Sequence, residues 1–230
     1  MPRGERQRTE VRIFSRRPNS NTRGRTPQSA LKFCEGKIRT PEIYLVRHGE
    51  TEWNRSHRIQ GSLDSPLTEL GREQAQRSGR TLARLGLAGL PVSLSPLGRT
   101  RATAAILAGE VAFGPVTVEP RLRELALGSW EGLTFAQVQA RFPALLEGTT
   151  QHTWYFQAPD GESFEAARNR VGGWLGEQTG PVIAVAHGMI GRVLRARYLD
   201  LPREQALAYP LGQDVIWHFR DGGMAVLPVD

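Results

Sequence analysis

Apolar positions along this chain fall into two rhythms. Short continuous runs, YLV at 44–46, PVSL at 91–94 and PVIAVAH at 181–187, have the length and composition of strands buried on both faces. Residues 116–118, VTV, read as a further short strand. Between these runs the spacing becomes helical. SPLTELGREQAQRSGRTLARLG sets Leu70, Ala75, Leu82 and Leu85 near one face, with Thr68 as the N-cap. An alanine-rich helix starts at 99–107, and another is expected at 134–141. Phe164, Ala167, Val171, Trp174 and Leu175 share a helical face despite the pair Gly172 and Gly173. Ile190, Val193 and Leu194 mark a helix directly after PVIAVAH. VIWHFRDGGMAVLPV closes the chain as a hairpin turning at Asp221 and Gly222. Strands that alternate with helices predict an α/β fold, doubly wound, with a mostly parallel sheet and helices on both faces.

The pattern begins at Pro41, and residues 1–40 lack it. The chain of 230 residues carries 30 Lys+Arg against 23 Asp+Glu, a net +7. Residues 1–40 hold 11 of those cations and 3 of the anions, so 41–230 is left with 19 against 20 and is nearly neutral. We therefore divide the chain into a basic leader, 1–40, expected to be disordered, and one domain, 41–230. The leader has no apolar core of signal-peptide length, and no run in the chain is long enough to span a bilayer. Glu5, Glu10 and Glu35 break up its charge, which weighs against a nucleic-acid contact. The single cysteine, Cys34, excludes an intrachain disulfide. A cytoplasmic protein without a membrane partner is expected. Oligomeric state is left open.

Charge reaches the domain's strands only at their ends. The first run ends in Arg47 and His48, PVSL leads into SPLGRTR with Arg99 or Arg101, and PVIAVAH ends in His187. Ligands of open α/β sheets bind at such strand ends, which a parallel sheet lines up along one edge. Arginines there suit an anion, and His187 precedes a helix whose first N–H groups favour one as well. A phosphoryl group fits this set. Read as residues alone, the histidines could also be metal ligands with a carboxylate, or part of a noncatalytic phospholigand module.

The order of motifs narrows this. RHGETEWN at 47–54, R.QG..D.PLTE.G..QA across 58–75, SPLGRTRATA, LRELALGSWEG, DGES and AHG follow one another through the domain. The chain resembles the histidine phosphatase superfamily, in its phosphoglycerate mutase-like branch. The resemblance implies that His48 is the nucleophile and becomes phosphohistidine. It also implies that Arg47, Arg99 and His187 surround the phosphoryl oxygens and that Glu124 is the proton donor. Asn54, Gln60 and Gly61 match positions lining the phosphate pocket. Arg99 is preferred to Arg101, which is expected at the surface. Phosphoryl transfer needs an in-line nucleophile, cations around three oxygens and a proton for the leaving group, and these residues supply each. No metal or other cofactor is called for. His48 must be neutral, with one ring nitrogen held by an acceptor that the sequence does not name; Glu124 must carry its proton when it acts.

Glu50 and Glu131 are the rival carboxylates, expected to be structural. His57, His152 and His218 lie outside the motifs, and Trp154, Tyr155 and Phe156 suggest a lid. The alternative within the family is a phosphoglycerate mutase, which must hold a second anionic group. Between 125 and 160 the only cation is Arg141, against Glu131, Glu147 and Asp160. A phosphatase acting on a small phosphorylated metabolite is therefore expected, with sugar phosphates, nucleotides and a ribazole phosphate as candidates.

Overall fold

The computed structural model describes residues 40–229. Six strands form one sheet: β1 (Ile43–Arg47), β2 (Val92–Leu94), β3 (Val116–Val118), β4 (Val182–Ala186), β5 (Val215–Arg220) and β6 (Gly223–Pro228), in the order β3-β2-β4-β1-β5-β6. β3, β2, β4 and β1 run parallel, and the β5–β6 hairpin adds to β1 antiparallel. The helices are α1 (Glu52–Arg55), α2 (Glu69–Arg84), α3 (Gly98–Glu110), α4 (Phe135–Arg141), α5 (Pro143–Leu146), α6 (Phe164–Gly176), α7 (Gly188–Tyr198) and α8 (Arg203–Ala208). This is the doubly wound α/β fold that the pattern predicts.

β1, β2 and β4 are buried on both faces, so they read as unbroken apolar runs, whereas the edge strand β3 is exposed at all three residues. Side chains alternate between the faces at the strand period of two. Ile43 and Leu45 of β1 and Val182, Ala184 and Ala186 of β4 pack with α6, α7 and α8. Tyr44, Val46, Ile183 and Val185 pack on the opposite side with Leu82 of α2 and Leu107 of α3. A smaller cluster of Ile59, Leu127, Trp130, Val138 and Trp154 lies under the 128–160 segment. Trp154 is in it, stacked on Trp130 and Tyr155, so the aromatic run closes a core as well as forming a rim.

Local chemistry sets the element ends. The Thr68 hydroxyl accepts from Gly71 N–H at the start of α2, and Thr134 makes a reciprocal capping box with Gln137 at the start of α4. At the hairpin, Asp221 and Gly222 both have positive φ, 51° and 73°, as a two-residue turn between twisted strands requires. Sequence periodicity does not reveal α1, α5 or α8, of 4, 4 and 6 residues, because none is long enough to show a period. Among the described residues no helix is long and apolar enough to cross a membrane. Residues 1–39 of the leader, Cys34 among them, lie outside them.

Candidate active site

β1, β4 and β2 are adjacent and parallel, so their C-terminal ends open on one edge of the sheet. His48 follows β1 directly and is 3% exposed. Its Nδ1 lies 2.8 Å from the Gly49 carbonyl oxygen, which can only accept, so Nδ1 carries the proton and Nε2 the lone pair. The acceptor that the sequence could not name is thus the backbone of the next residue. That loop lies on the start of α2: a Cβ at Gly49 would come within 2.1 Å of the Gly71 carbonyl oxygen, so glycine is what permits the approach. Burial, and after it the charges of Arg47 and Arg99, push the His48 imidazole well below its usual range and keep it neutral.

Arg47, the last residue of β1, is held through Nη1 by the Leu211 carbonyl at 2.8 Å. Its Nε is buried without a partner. An orphaned guanidinium N–H in this setting calls for an anionic acceptor. Arg99, in the first turn of α3, is almost wholly engaged. Nε donates to His187 Nδ1 (3.2 Å), Nη1 to the Leu63 carbonyl (2.7 Å) and Asp64 (2.9 Å), and Nη2 to the Gly61 carbonyl (2.9 Å). Four of the five guanidinium N–H groups are thereby used, which fixes the plane of the fork before any ligand arrives. Asp64 also accepts from the Gly98 and Arg99 amides and so caps α3, which has no side-chain cap of its own.

His187 is fully buried, with its ring 5.2 Å from that of His48. Because Arg99 donates to Nδ1, the proton is on Nε2, which donates to Ser95 Oγ at 2.7 Å. Burial first, then Arg99, His48 and Arg47, hold His187 well below the ordinary histidine range. Among the described residues no cluster of three or more His, Cys, Asp or Glu side chains could hold a metal. The arginines around the two histidines would repel a cation in any case.

Glu124 reaches the same edge from the loop after β3. Oε1 accepts from the Ile190 amide (2.8 Å) and the Leu125 amide (3.1 Å), and Oε2 from the Met189 amide alone (3.1 Å). The carboxyl group therefore sits on the N-terminus of α7, and Oε2 has capacity left for a proton. Arg170 of α6 fastens this loop. Its guanidinium is paired with Glu162 (2.7 and 2.5 Å) and donates to the Arg121 and Arg123 carbonyls (2.6 and 2.9 Å).

Asn54 closes the capping box of α1 with Thr51, and Gln213 also donates to its Oδ1 (3.3 Å), so its NH₂ is what it can offer a ligand. Gln60 is buried, with Oε1 lacking a partner. Gly61 has φ +54°, and a Cβ there would lie 2.1 Å from Glu131 Oε1. Glu131 accepts from the Ser62 and Leu127 amides and so ties the Gln60–Gly61 turn to the Glu124 loop. Glu50 accepts from the Thr68 hydroxyl. Both rivals are structural, as expected. Arg101 is exposed and bonded to the Pro96 carbonyl. His57 is at an exposed turn, His152 is beside Gln151, and His218 stacks on Tyr44 and bonds Glu42.

Sequence reasoning passed over Gly49, Asp64, Ser95, Glu162, Arg170 and Gln213. Gly49, Asp64, Ser95 and Glu162 stand inside the motifs, but Gly49 acts through its backbone carbonyl, which every residue has. Arg170 and Gln213 act across distant elements, where the residue type carries no signal.

The family model of the histidine phosphatase superfamily (branch 1) matches residues 43–226. A probable phosphoglycerate mutase GpmB of Erwinia tasmaniensis is 39% identical over 167 residues, covering 70% of this chain and 76% of that protein. A glucosyl-3-phosphoglycerate phosphatase of Mycobacterium tuberculosis is 37% identical over 177 residues, covering 72% and 78%. Among solved structures, YhfR of Bacillus stearothermophilus superposes with a TM-score of 0.68 at 31% identity, over 82% of this chain and 96% of that one. With its motifs, sheet order and matched span all in accord, the chain belongs to the histidine phosphatase superfamily.

Proposed function

We propose that this enzyme hydrolyses a small phosphomonoester in two steps through phosphohistidine on His48. The observation that carries the reading is the His48 tautomer: Nδ1–H is spent on the Gly49 carbonyl, so Nε2 presents a lone pair beside Arg47 and Arg99. In the first step Nε2 attacks phosphorus in line, the bond from phosphorus to the ester oxygen breaks, and Glu124 Oε2 gives its proton to the leaving alkoxide. Arg47, with most of its donors uncommitted, takes the equatorial oxygens, and Arg99 adds its remaining N–H. His187, with both ring nitrogens engaged, holds Arg99 in plane and walls the site. In the second step water attacks phosphorus, its proton passes to the Glu124 carboxylate, and the bond to Nε2 breaks to release phosphate and neutral His48. Asn54, Gln60 and Gly61 line the phosphoryl pocket in this reading. We place the activity in the cytoplasm.

Release to water, rather than return to a second substrate, is supported by the lid. Its one cation, Arg141, is exposed at the end of α4. The substrate class includes phosphorylated sugars, nucleotides and a ribazole phosphate, and the glucosyl-3-phosphoglycerate named for the mycobacterial relative. The test is a panel of phosphomonoesters that includes 3-phosphoglycerate with 2,3-bisphosphoglycerate, assayed with strong chelator present. Release of inorganic phosphate is expected, undiminished by the chelator. Interconversion of phosphoglycerate isomers without phosphate release would overturn hydrolysis in favour of the mutase reading.

A further inference from the structure

The stretch LTE.G..QA at 67–75 has no part in the reaction described so far. In the fold it is the start of α2, and its residues meet the loop after His48 one by one. Leu67 pairs with Thr51 in an isolated antiparallel bridge. The Thr68 amide donates to the Glu50 carbonyl at 2.9 Å. Gly71 is backed against the same residue: a Cβ there would stand 2.0 Å from the Glu50 carbonyl oxygen. Gln74 lies three positions on, on the same face of the helix, and its Oε1 accepts from the Glu50 amide at 2.8 Å. A backbone N–H can only donate, so it is the oxygen of the Gln74 amide that faces the loop.

The peptide plane between Gly49 and Glu50 therefore has a partner at each end. Its N–H goes to Gln74, and its C=O takes the Nδ1–H of His48 at 2.8 Å. The preceding plane, between His48 and Gly49, is held likewise. Its N–H donates to the Thr103 hydroxyl (3.1 Å), which donates on to the Arg99 carbonyl (2.8 Å), and its C=O accepts from Gln213 Nε2 (3.2 Å). Only the Gly49–Glu50 plane bonds to the nucleophile's ring. Glycine at 49 imposes little backbone restraint of its own, so that plane has to be fixed from outside. A peptide unit is planar and resonance couples its two ends. An acceptor on the N–H thus sets the tilt of the C=O and adds electron density to its oxygen. Both effects tighten the hold on Nδ1–H, and a ring whose Nδ1–H is held keeps its lone pair on Nε2.

We propose that Gln74 is a positioning residue for phosphoryl transfer: through one peptide unit it keeps the proton of His48 on Nδ1 and the lone pair on Nε2. The proposal rests on the hydrolase reading and deepens it, since it extends the support of the nucleophile to α2. Gln74 acts through the backbone, so its effect depends on its acceptor oxygen and is indifferent to the leaving group.

Gln74→Met keeps the length of the side chain and removes the acceptor, whereas Gln74→Glu keeps an acceptor. In protein whose histidines are labelled with nitrogen-15, two-bond nitrogen–proton correlations tell Nδ1–H from Nε2–H, and the His48 signals are those lost in His48→Ala. Wild-type enzyme should show Nδ1–H at His48. In Gln74→Met the ring should populate Nε2–H, the form that neutral imidazole prefers when unheld. Its kcat/KM should fall about tenfold, the weight of one hydrogen bond, and by the same factor on an alkyl phosphate and on p-nitrophenyl phosphate. Gln74→Glu should restore the tautomer and most of the rate. A His48 ring that stays Nδ1–H in Gln74→Met, with or without a loss of rate or of melting temperature, would make Gln74 a structural tie and overturn the proposal. An unchanged kcat/KM would do the same. Should Gln74→Met fail to fold, Gln74→Asn, whose amide is set back by one methylene, is read by the same two measurements and the same criteria. A wild-type His48 protonated on Nε2, or a wild type that turns over neither ester, would instead bring down the hydrolase reading, and the role of Gln74 with it.

Discussion

His48 can attack only while its Nε2 lone pair is unprotonated, and its surroundings secure this well into mild acid. Burial, Arg47 and Arg99 lower its pKa, and the same forces lower that of His187. The acid limb of kcat/KM, which reports the free enzyme's essential base, should therefore fall below pH 6.5, the ordinary histidine value. A limb at or above 6.5 would mean that His48 is not held neutral. Stability follows the same sign. Below about pH 6.5 the unfolded chain binds protons at these histidines that the folded chain refuses, so each should cost about 1.4 kcal/mol of stability per pH unit as pH falls. Denaturant titrations at pH 7.5 and 5.5 check it, and equal stability at the two values would contradict it. Glu124 is tested through the leaving group. Glu124→Gln keeps the size and removes the transferable proton, so kcat at saturation should drop by about 10²–10⁴-fold on an alkyl phosphate and far less on p-nitrophenyl phosphate. Equal losses on both esters would make Glu124 a positioning residue.

The elements that carry these side chains were legible to different degrees. β1, β2 and β4 could be read because burial on both faces writes a continuous apolar run, and α2 because Thr68 caps a periodic segment. The contacts that orient the site could not. Ser95 and His187 are 92 positions apart, and only the β2–β4 pairing brings them together. The acceptor for His48 is a carbonyl, which every residue possesses. Arg170 is a similar case: it stands on α6 but acts on the Glu124 loop. Removing it alone would leave Glu162, which is 10% exposed at the side chain, with only the longer 3.5 Å ion pair to Arg123. The pair Arg170→Met with Glu162→Gln avoids that. We expect it to slow alkyl phosphate turnover about tenfold while sparing p-nitrophenyl phosphate, the signature of a misplaced acid. A uniform loss across both substrates would assign the pair to stability alone.

For the molecule as a whole, every group assigned a role lies between Arg47 and Gln213, within the domain that the periodicity begins at Pro41. A chain starting at Thr40 should keep kcat on a small phosphomonoester within about twofold and keep its melting temperature, since Thr40 and Pro41 still meet Tyr198 of α7. A large loss of kcat would show that the leader contributes to the site. The central claim is that three strand ends of one sheet assemble around a histidine that takes the phosphoryl group. Rapid quenching of the wild-type enzyme with phosphoryl-labelled substrate tests it most directly. The account predicts a protein-bound label that is acid-labile and base-stable, maps to His48 and is absent from His48→Ala. Label of the same amount in His48→Ala, or label that resists acid and is lost in base, would contradict it.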